Sequence, residues 1–446
     1  MEAQVAAGGM GVVYRARDTE TGAPVALKLL AARDPDNQER FAREATILAQ
    51  LDHPAIVRYV AHGATAEGVP YIAMDWAHGE TLFQRLASAG VSLAETVALG
   101  QRVADALGYA HARGVVHRDV KPSNLVLLGA TVADVAILDF GIARAEAVPS
   151  SLTETGAVLG TPSYMSPEQA RGERAVDARA DVFSLGCVLY ECATGQLAFE
   201  GRHVLALVAK IVFWEPPRLR RVVPDAPKAL DDLFVRMLAK DPARRPRDGA
   251  EVAAELARIH IAAAPPRKPP VSRDAPTLVG ATPAPRPDRL VCVVAATPAD
   301  GESAPLAPAA LDARRAALRT RMETYRVHCE VLLDGSVMVI AAGGAPDAVV
   351  QRALACAREI RALAPDLLVA VKSGPLDGDD AVAAAAQGLL DATVAALAKE
   401  AMAALFGGIS GAARPRGAIR LDDATARLCP QDTIVRANGV AYLASP

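Results

Sequence analysis

Eight consecutive residues, His117-Arg118-Asp119-Val120-Lys121-Pro122-Ser123-Asn124, set an acid, a lysine and an amide side by side. Fifteen residues after Asn124, the strand-like Val135-Ala136-Ile137-Leu138 leads into Asp139-Phe140-Gly141. No other part of the chain constrains it as much. A carboxylate that can accept a hydroxyl proton, followed by an Asn and an Asp able to hold Mg2+, is what phosphoryl transfer from ATP requires.

Two features upstream are open to more than one reading when taken singly. The cluster Gly8-Gly9-Met10-Gly11 lies between strand-like stretches, where glycine lets backbone N–H groups approach phosphates without Cβ interference; it also suits a plain turn. Lys28 stands on the apolar strand Val25-Ala26-Leu27-Lys28. It is either a phosphate ligand or an edge lysine reaching for water along its own stem.

Residues 12–18 and 24–30 read as strands joined by the turn-forming Glu20-Thr21-Gly22, a hairpin. Residues 38–51 have helical periodicity, with Phe41, Ala45, Leu48 and Leu51 on one face. Beyond Trp76 the pattern is mainly helical, at 93–112, 181–194, 203–211 and 229–239. A small β-rich part followed by a larger helical one predicts two lobes with a ligand cleft between them.

With these pieces in order, residues 4–258 resemble a bacterial Hanks-type serine/threonine protein kinase. The resemblance implies the two-lobed α+β protein-kinase fold, with ATP and Mg2+ as cofactors and proteins as substrates. It implies that ATP is held by Gly8, Gly11 and Val13 of the phosphate loop, by Lys28, and by a hinge at Met74 and Ala77, with Met74 as gatekeeper. Lys28 would pair with Glu44. Asp119 would be the catalytic base, Lys121 would stabilise the γ-phosphate, and Asn124 and Asp139 would hold Mg2+. Thr153 and Thr155 are candidate phosphorylation sites, and Thr161 matches the threonine set against the catalytic base where the substrate docks. Asp181 resembles the residue that braces the catalytic loop, and Arg245 would pair with Glu168 of Ser166-Pro167-Glu168. The pattern departs from the family at Ala6, which replaces the first glycine of the phosphate loop, and at Ser166, which replaces an alanine. The first strand is also short, with Met1 five residues ahead of Ala6, which a start codon assigned too far downstream would explain.

Eight prolines fall between residues 265 and 287, where neither helix nor sheet should persist. The chain therefore divides into a kinase domain at 1–262, a linker at 263–289 and a regulatory domain at 290–446. In the last, strands are expected at 289–296, 327–333, 336–342 and 367–373 and helices at 311–325 and 347–363, with Asp334-Gly335 as a hairpin turn. That β-α-β-β-α-β order is the split arrangement of ferredoxin-like folds. It is similar to class III nucleotide cyclase domains, in which Asp334 would match the second metal aspartate. The first falls at Val293-Val294-Ala295-Ala296, where no acid exists, and the region of Glu400 lacks the family's Asn and Arg. Two-metal chemistry needs both carboxylates, so a non-catalytic relative is implied, with an unrelated ferredoxin-like sensor as the other reading. Small apolar residues in the alanine-rich stretches 381–386 and 392–404 could bury surface against a second copy, giving a homodimer.

The 446 residues carry a formal net charge of −3 and no basic block, which gives no electrostatic reason for a nucleic-acid partner. Six scattered cysteines without a CxxC pair point to buried thiols in a reducing compartment. No signal peptide is legible, and the apolar stretch 389–408 is interrupted by Asp391, Lys399 and Glu400, so a soluble, cytoplasmic chain without a membrane span is expected. Against the active kinase stand two alternatives: a pseudokinase scaffold whose shortened N-terminal lobe no longer holds ATP, and a kinase–cyclase fusion.

Overall fold

The computed structural model describes residues 1–8, 11–30, 45–46, 48–66, 68–129, 131–140, 162–173, 175–200, 204–261, 290–298, 308–332, 335–375, 419–427, 429, 434–437 and 440–443. It begins with an antiparallel sheet of β1 (Ala3–Gly8), β2 (Gly11–Arg17), β3 (Pro24–Leu30), β4 (Tyr59–Ala64) and β5 (Pro70–Asp75), in the order β1-β2-β3-β5-β4. The β2–β3 hairpin closes as expected: Asp18 Oδ1 accepts the Glu20 amide at 2.8 Å, and Gly22 takes a φ of 71° that a side chain would resist. Despite its shortness, β1 pairs with β2 from Ala3↔Arg15 to Gly8↔Gly11. Of the helix expected at 38–51, the described part is helical at Ala45, Thr46 and Leu48; Glu44 lies outside the described residues.

The helical part holds α1 (Leu82–Ser88), α2 (Leu93–His111), α3 (Pro167–Arg171), α4 (Ala178–Thr194), α5 (Val204–Phe213), α6 (Leu219–Val222), α7 (Lys228–Met237) and α8 (Gly249–Leu256). Ser92 starts α2 with a reciprocal cap, its hydroxyl accepting from the Glu95 amide while the Glu95 carboxylate accepts from the Ser92 amide. Helices α2 and α8 approach closely: a Cβ on Gly249 would stand 2.4 Å from the Ala104 carbonyl oxygen and 2.5 Å from the Gly108 nitrogen. Against α2 lies a small sheet of β6 (Glu80–Thr81), β7 (Leu125–Leu127) and β8 (Val135–Ile137), antiparallel with Leu125 opposite Ile137. One apolar cluster joins these elements, including Leu99, Leu107, Phe183, Leu189 and Met237.

After residue 289 comes a second sheet: β9 (Leu290–Pro298), β10 (His328–Val331), β11 (Val337–Ala342), β12 (Leu367–Pro375), β13 (Ile419–Leu421), β14 (Ile434–Ala437) and β15 (Val440–Leu443). Among the described residues the helices α9 (Pro308–Met322), α10 (Pro346–Leu363) and α11 (Asp423–Arg427) accompany it. The strand order is β10-β11-β9-β12-β13-β15-β14, antiparallel except for β12 beside β13. Strand alternation splits the sheet's residues between two faces. Cys292, Val294, Val339 and Val369 pack with α9 and α10 residues such as Leu318 and Ala353, whereas Val291, Val293, Leu332 and Met338 belong to the apolar cluster of the helical part. The alanine-rich stretches at 381–386 and 392–404, and the linker at 263–289, lie outside the described residues.

All six cysteines are free thiols, and Cys329 alone of them is only half-buried. Burial pushes Cys187, Cys292, Cys329 and Cys356 up to about 12, so these thiols stay protonated near neutral pH.

Candidate active site

The loop between α2 and β7 is held in a shape that its own residues would not choose. Arg118 has a φ of 63°, left-handed backbone that costs a non-glycine residue on the order of 1–3 kcal/mol and persists only where its surroundings impose it. Asp181, fully buried near the start of α4, imposes it. Its Oδ2 accepts the His117 amide at 2.7 Å and His111 Nε2 at 2.9 Å, and its Oδ1 accepts the Arg118 amide at 2.7 Å. His111 Nδ1 in turn accepts the Gly249 amide at 3.1 Å, which ties the loop to the start of α8. From the other side, Gln169 Nε2 donates to the Arg118 carbonyl at 2.8 Å.

Held in this way, the loop presents Asp119. Lys121 Nζ lies 2.8 Å from Asp119 Oδ2, and Asn124 Nδ2 donates to the Asp119 carbonyl at 2.8 Å and to Oδ2 at 3.2 Å. The β7–β8 pairing then sets Asn124 against the end of β8, where the Leu138 amide donates to the Asn124 carbonyl at 2.8 Å. Asp139 follows at once, also left-handed with φ 49°, and its Oδ2 accepts from Lys28 Nζ at 3.0 Å. Phe140 is buried against the His117 ring, 4.6 Å between centroids, while His117 Nε2 bonds the Leu138 carbonyl at 2.9 Å. Two cations and two carboxylates thus form one connected group reaching from the five-stranded sheet to the helical part.

The hairpin above this group brings Gly8 opposite Gly11, and Val13 opposite Lys28 on the next strand. Gly11 has a φ of 131°, which a side chain would strain. Met74, on β5 opposite Ala26, packs with Ile72 and Ala45, and Ala77 follows in the connection to β6. Thr153, Thr155 and Thr161 lie outside the described residues, as does Glu44 and so its expected pairing with Lys28.

The pairing expected between Glu168 and Arg245 is present. Arg245 Nη1 and Nη2 meet the two carboxylate oxygens at 2.8 and 2.9 Å, with both side chains almost wholly enclosed, and Arg245 also donates to the Ala239 and Arg179 carbonyls. A bidentate, fully partnered pair of this kind is costly to break from one side. Tyr164 donates to Glu191 at 2.6 Å, and burial, reinforced by that carboxylate, holds its hydroxyl protonated. Sequence reading missed Gln169 and His111. Gln169 is legible only as the third residue after the Ser166 cap, which it completes with its Oε1; its bond to Arg118 spans 51 positions, and no local pattern announces it.

The protein kinase domain family matches residues 1–256. The chain belongs to that family. Its protein kinase domain is similar to serine/threonine-protein kinase PknB of Mycobacterium leprae, 41% identical over 275 residues that make up 60% of this chain and 44% of that one. PknB of Mycolicibacterium smegmatis is 42% identical over 266 residues, 58% of this chain and 42% of the relative. A probable serine/threonine-protein kinase of Streptomyces coelicolor is 40% identical over 257 residues, 56% and 38% of the two chains. The chain spans less than half the length of these relatives. Among solved structures, that of Rad53 1–466 in complex with AMP-PNP aligns at TM-score 0.48 and 25% identity, over 57% of this chain and 63% of the other. ATP and a divalent metal ion are the cofactors a protein kinase domain implies.

Proposed function

We propose that the chain is a serine/threonine protein kinase that transfers the γ-phosphate of ATP to Ser and Thr hydroxyls of proteins, itself among them. The observation that carries this reading is the connected group Lys121–Asp119–Asn124 and Asp139–Lys28, joined through the Asn124–Leu138 backbone bond. Asp119 receives the proton of the attacking hydroxyl, whose oxygen bonds to the γ-phosphorus as ADP leaves. Lys121 offsets negative charge at the transferred group, and Lys28 orients the α- and β-phosphates from the sheet side. Gly8, Gly11 and Val13 cover the phosphates, while Met74 and Ala77 flank the adenine.

Asn124 and Asp139 fit Mg2+, which favours hard oxygen donors. The Asn124 amide nitrogen is engaged by Asp119, leaving the amide oxygen as the ligand. Bound there, Mg2+ would neutralise charge on the phosphates. The pairing of β1 through Gly8↔Gly11 favours this reading over a scaffold with an impaired N-terminal lobe.

Thr153 and Thr155 are the proposed autophosphorylation sites and Thr161 the substrate-side contact. A phosphate would bring about −1.5 to −2 charges to that segment, with Arg118 beside the base as its partner. The proposed division is a kinase domain at 1–262, a linker at 263–289 and a regulatory domain at 290–446. The antiparallel order β12-β9-β11-β10 supports a ferredoxin-like fold, related to nucleotide cyclases without their chemistry; Asp334 lies outside the described residues. Among the described residues no helix is long and apolar enough to cross a membrane; the free thiols, all buried but Cys329, suit a reducing, cytoplasmic setting. The test is incubation with Mg2+ and ATP followed by mass spectrometry, beside Asp119→Asn. Phosphate on Thr153 or Thr155 in the first sample alone is expected; equal labelling of the two samples would overturn the role of Asp119, and both threonines unmodified in active protein would overturn the sites.

A further inference from the structure

We infer that the C-terminal sheet is a clamp, in cis, on the helix that positions the catalytic loop. The inference rests on the kinase reading for its effect on turnover, and on packing for the clamp itself. Val291, Val293, Leu332 and Met338 share the sheet face that points away from α9 and α10. Each is 2% exposed or less, and all four pack in the same cluster as the helical part of the kinase domain, with Ile340 and Ala342 at its margin. The occupant of this apolar face is therefore the chain's own kinase domain. Along its edge Arg171 Nε lies 3.2 Å from Glu330 Oε2, with both side chains about four-fifths enclosed, and His328 meets the Phe213 ring edge-on at 4.9 Å.

Arg171 is the last residue of α3, and α3 has only five residues. A helix so short has little stability of its own, so its side chains' partners decide where it sits. Those partners lie in three directions. Glu168 is gripped by Arg245, Gln169 donates to the Arg118 carbonyl one residue before Asp119, and Arg171 reaches Glu330 on β10. Glu330 is thus two contacts from the strained loop that presents the catalytic carboxylate, and the C-terminal sheet acts on Asp119 through α3. A cleft of about 590 Å³, lined by Arg171, Glu173, Arg315, Arg319 and Glu330 among others, runs beside the pair and admits solvent. The contact should therefore weaken with ionic strength.

The experiment uses the full chain with Arg171→Glu, Glu330→Arg and the double reversal, reading steady-state phosphorylation of a serine peptide and amide hydrogen exchange at residues 117–119. Each single reversal should lower kcat by about 3- to 10-fold, leave KM for ATP within about twofold, and speed exchange at 117–119. The double reversal should restore both readouts. Single variants with unchanged or raised kcat, unchanged exchange, or a double variant no better than the singles would each overturn the clamp. A wild type that phosphorylates nothing while the exchange pattern follows the reversals would instead overturn the kinase reading and leave the clamp standing.

Discussion

Asp181 shapes the loop that carries Asp119: its carboxylate takes three donors at once and holds Arg118 left-handed. Asp181→Ala would leave two backbone amides and an imidazole without their acceptor inside the protein. We expect a loss of about 3–5 kcal/mol of stability, read by denaturant unfolding, with kcat falling even where the variant stays folded. A variant as stable and active as wild type would contradict that role. Lys240 poses a different question at the same scale. It is buried beneath the ring of Phe199, 3.9 Å away, with its Nζ donating to the Ile211 carbonyl, and burial lowers it from an ordinary 10.5 to about 7. Between those two values the unfolded chain holds a proton that the folded one does not. For this group stability is therefore greatest above about 10, declines as pH falls, and carries its full penalty below about 7. The stability difference between wild type and Lys240→Met should shift in favour of wild type as pH is raised from 7 to 10. A difference that stays flat across that window would show the lysine charged in the folded state, with the ring and the carbonyl outweighing burial.

Elements were legible where their signals are local. The hairpin about Glu20-Thr21-Gly22 and the group from His117 to Asp139 were readable because the residues that form each sit close along the chain. What escaped notice depends on distance or brevity. Strands β13, β14 and β15 have only three or four residues each, too few for alternation to stand out, and they find their places only by adding to a sheet edge already formed by β12. His111 reads as one more residue at the end of a helix until α8 comes back to it. The α2–α8 approach is of the same kind, set by a glycine whose reason lies far away in sequence. In Gly249→Ala the new methyl would meet the backbone of Ala104 and Gly108 at 2.4 and 2.5 Å. Backbone cannot turn aside as a side chain can, so the helices must part, at about 1–3 kcal/mol or more. Thermal unfolding of this variant should show a clear drop in Tm, and an unchanged Tm would mean that α8 starts elsewhere.

At the scale of the whole molecule, the five-stranded sheet brings Lys28, the helical part brings Asp119 and Asn124, and Asp139 joins them from the end of β8. In the proposed clamp the second sheet braces α3, behind the loop that carries Asp119. A second copy paired through the alanine-rich stretches at 381–386 and 392–404 would raise the local concentration of one kinase domain near another. Residues 290–446 expressed alone should dimerise and make no cyclic nucleotide, as sedimentation and a cyclase assay would show; a monomer, or a cyclic product, would refute the respective half of that expectation. Lys28→Met in a γ-labelled ATP assay, with circular dichroism as a check on folding, asks whether the group around Asp119 and Asp139 transfers phosphate. Loss of Lys28 removes the bridge from the sheet to Asp139, so transfer to serine and threonine should fall by about a hundredfold or more in a chain with wild-type helicity. Near-wild-type transfer by folded Lys28→Met protein would contradict it.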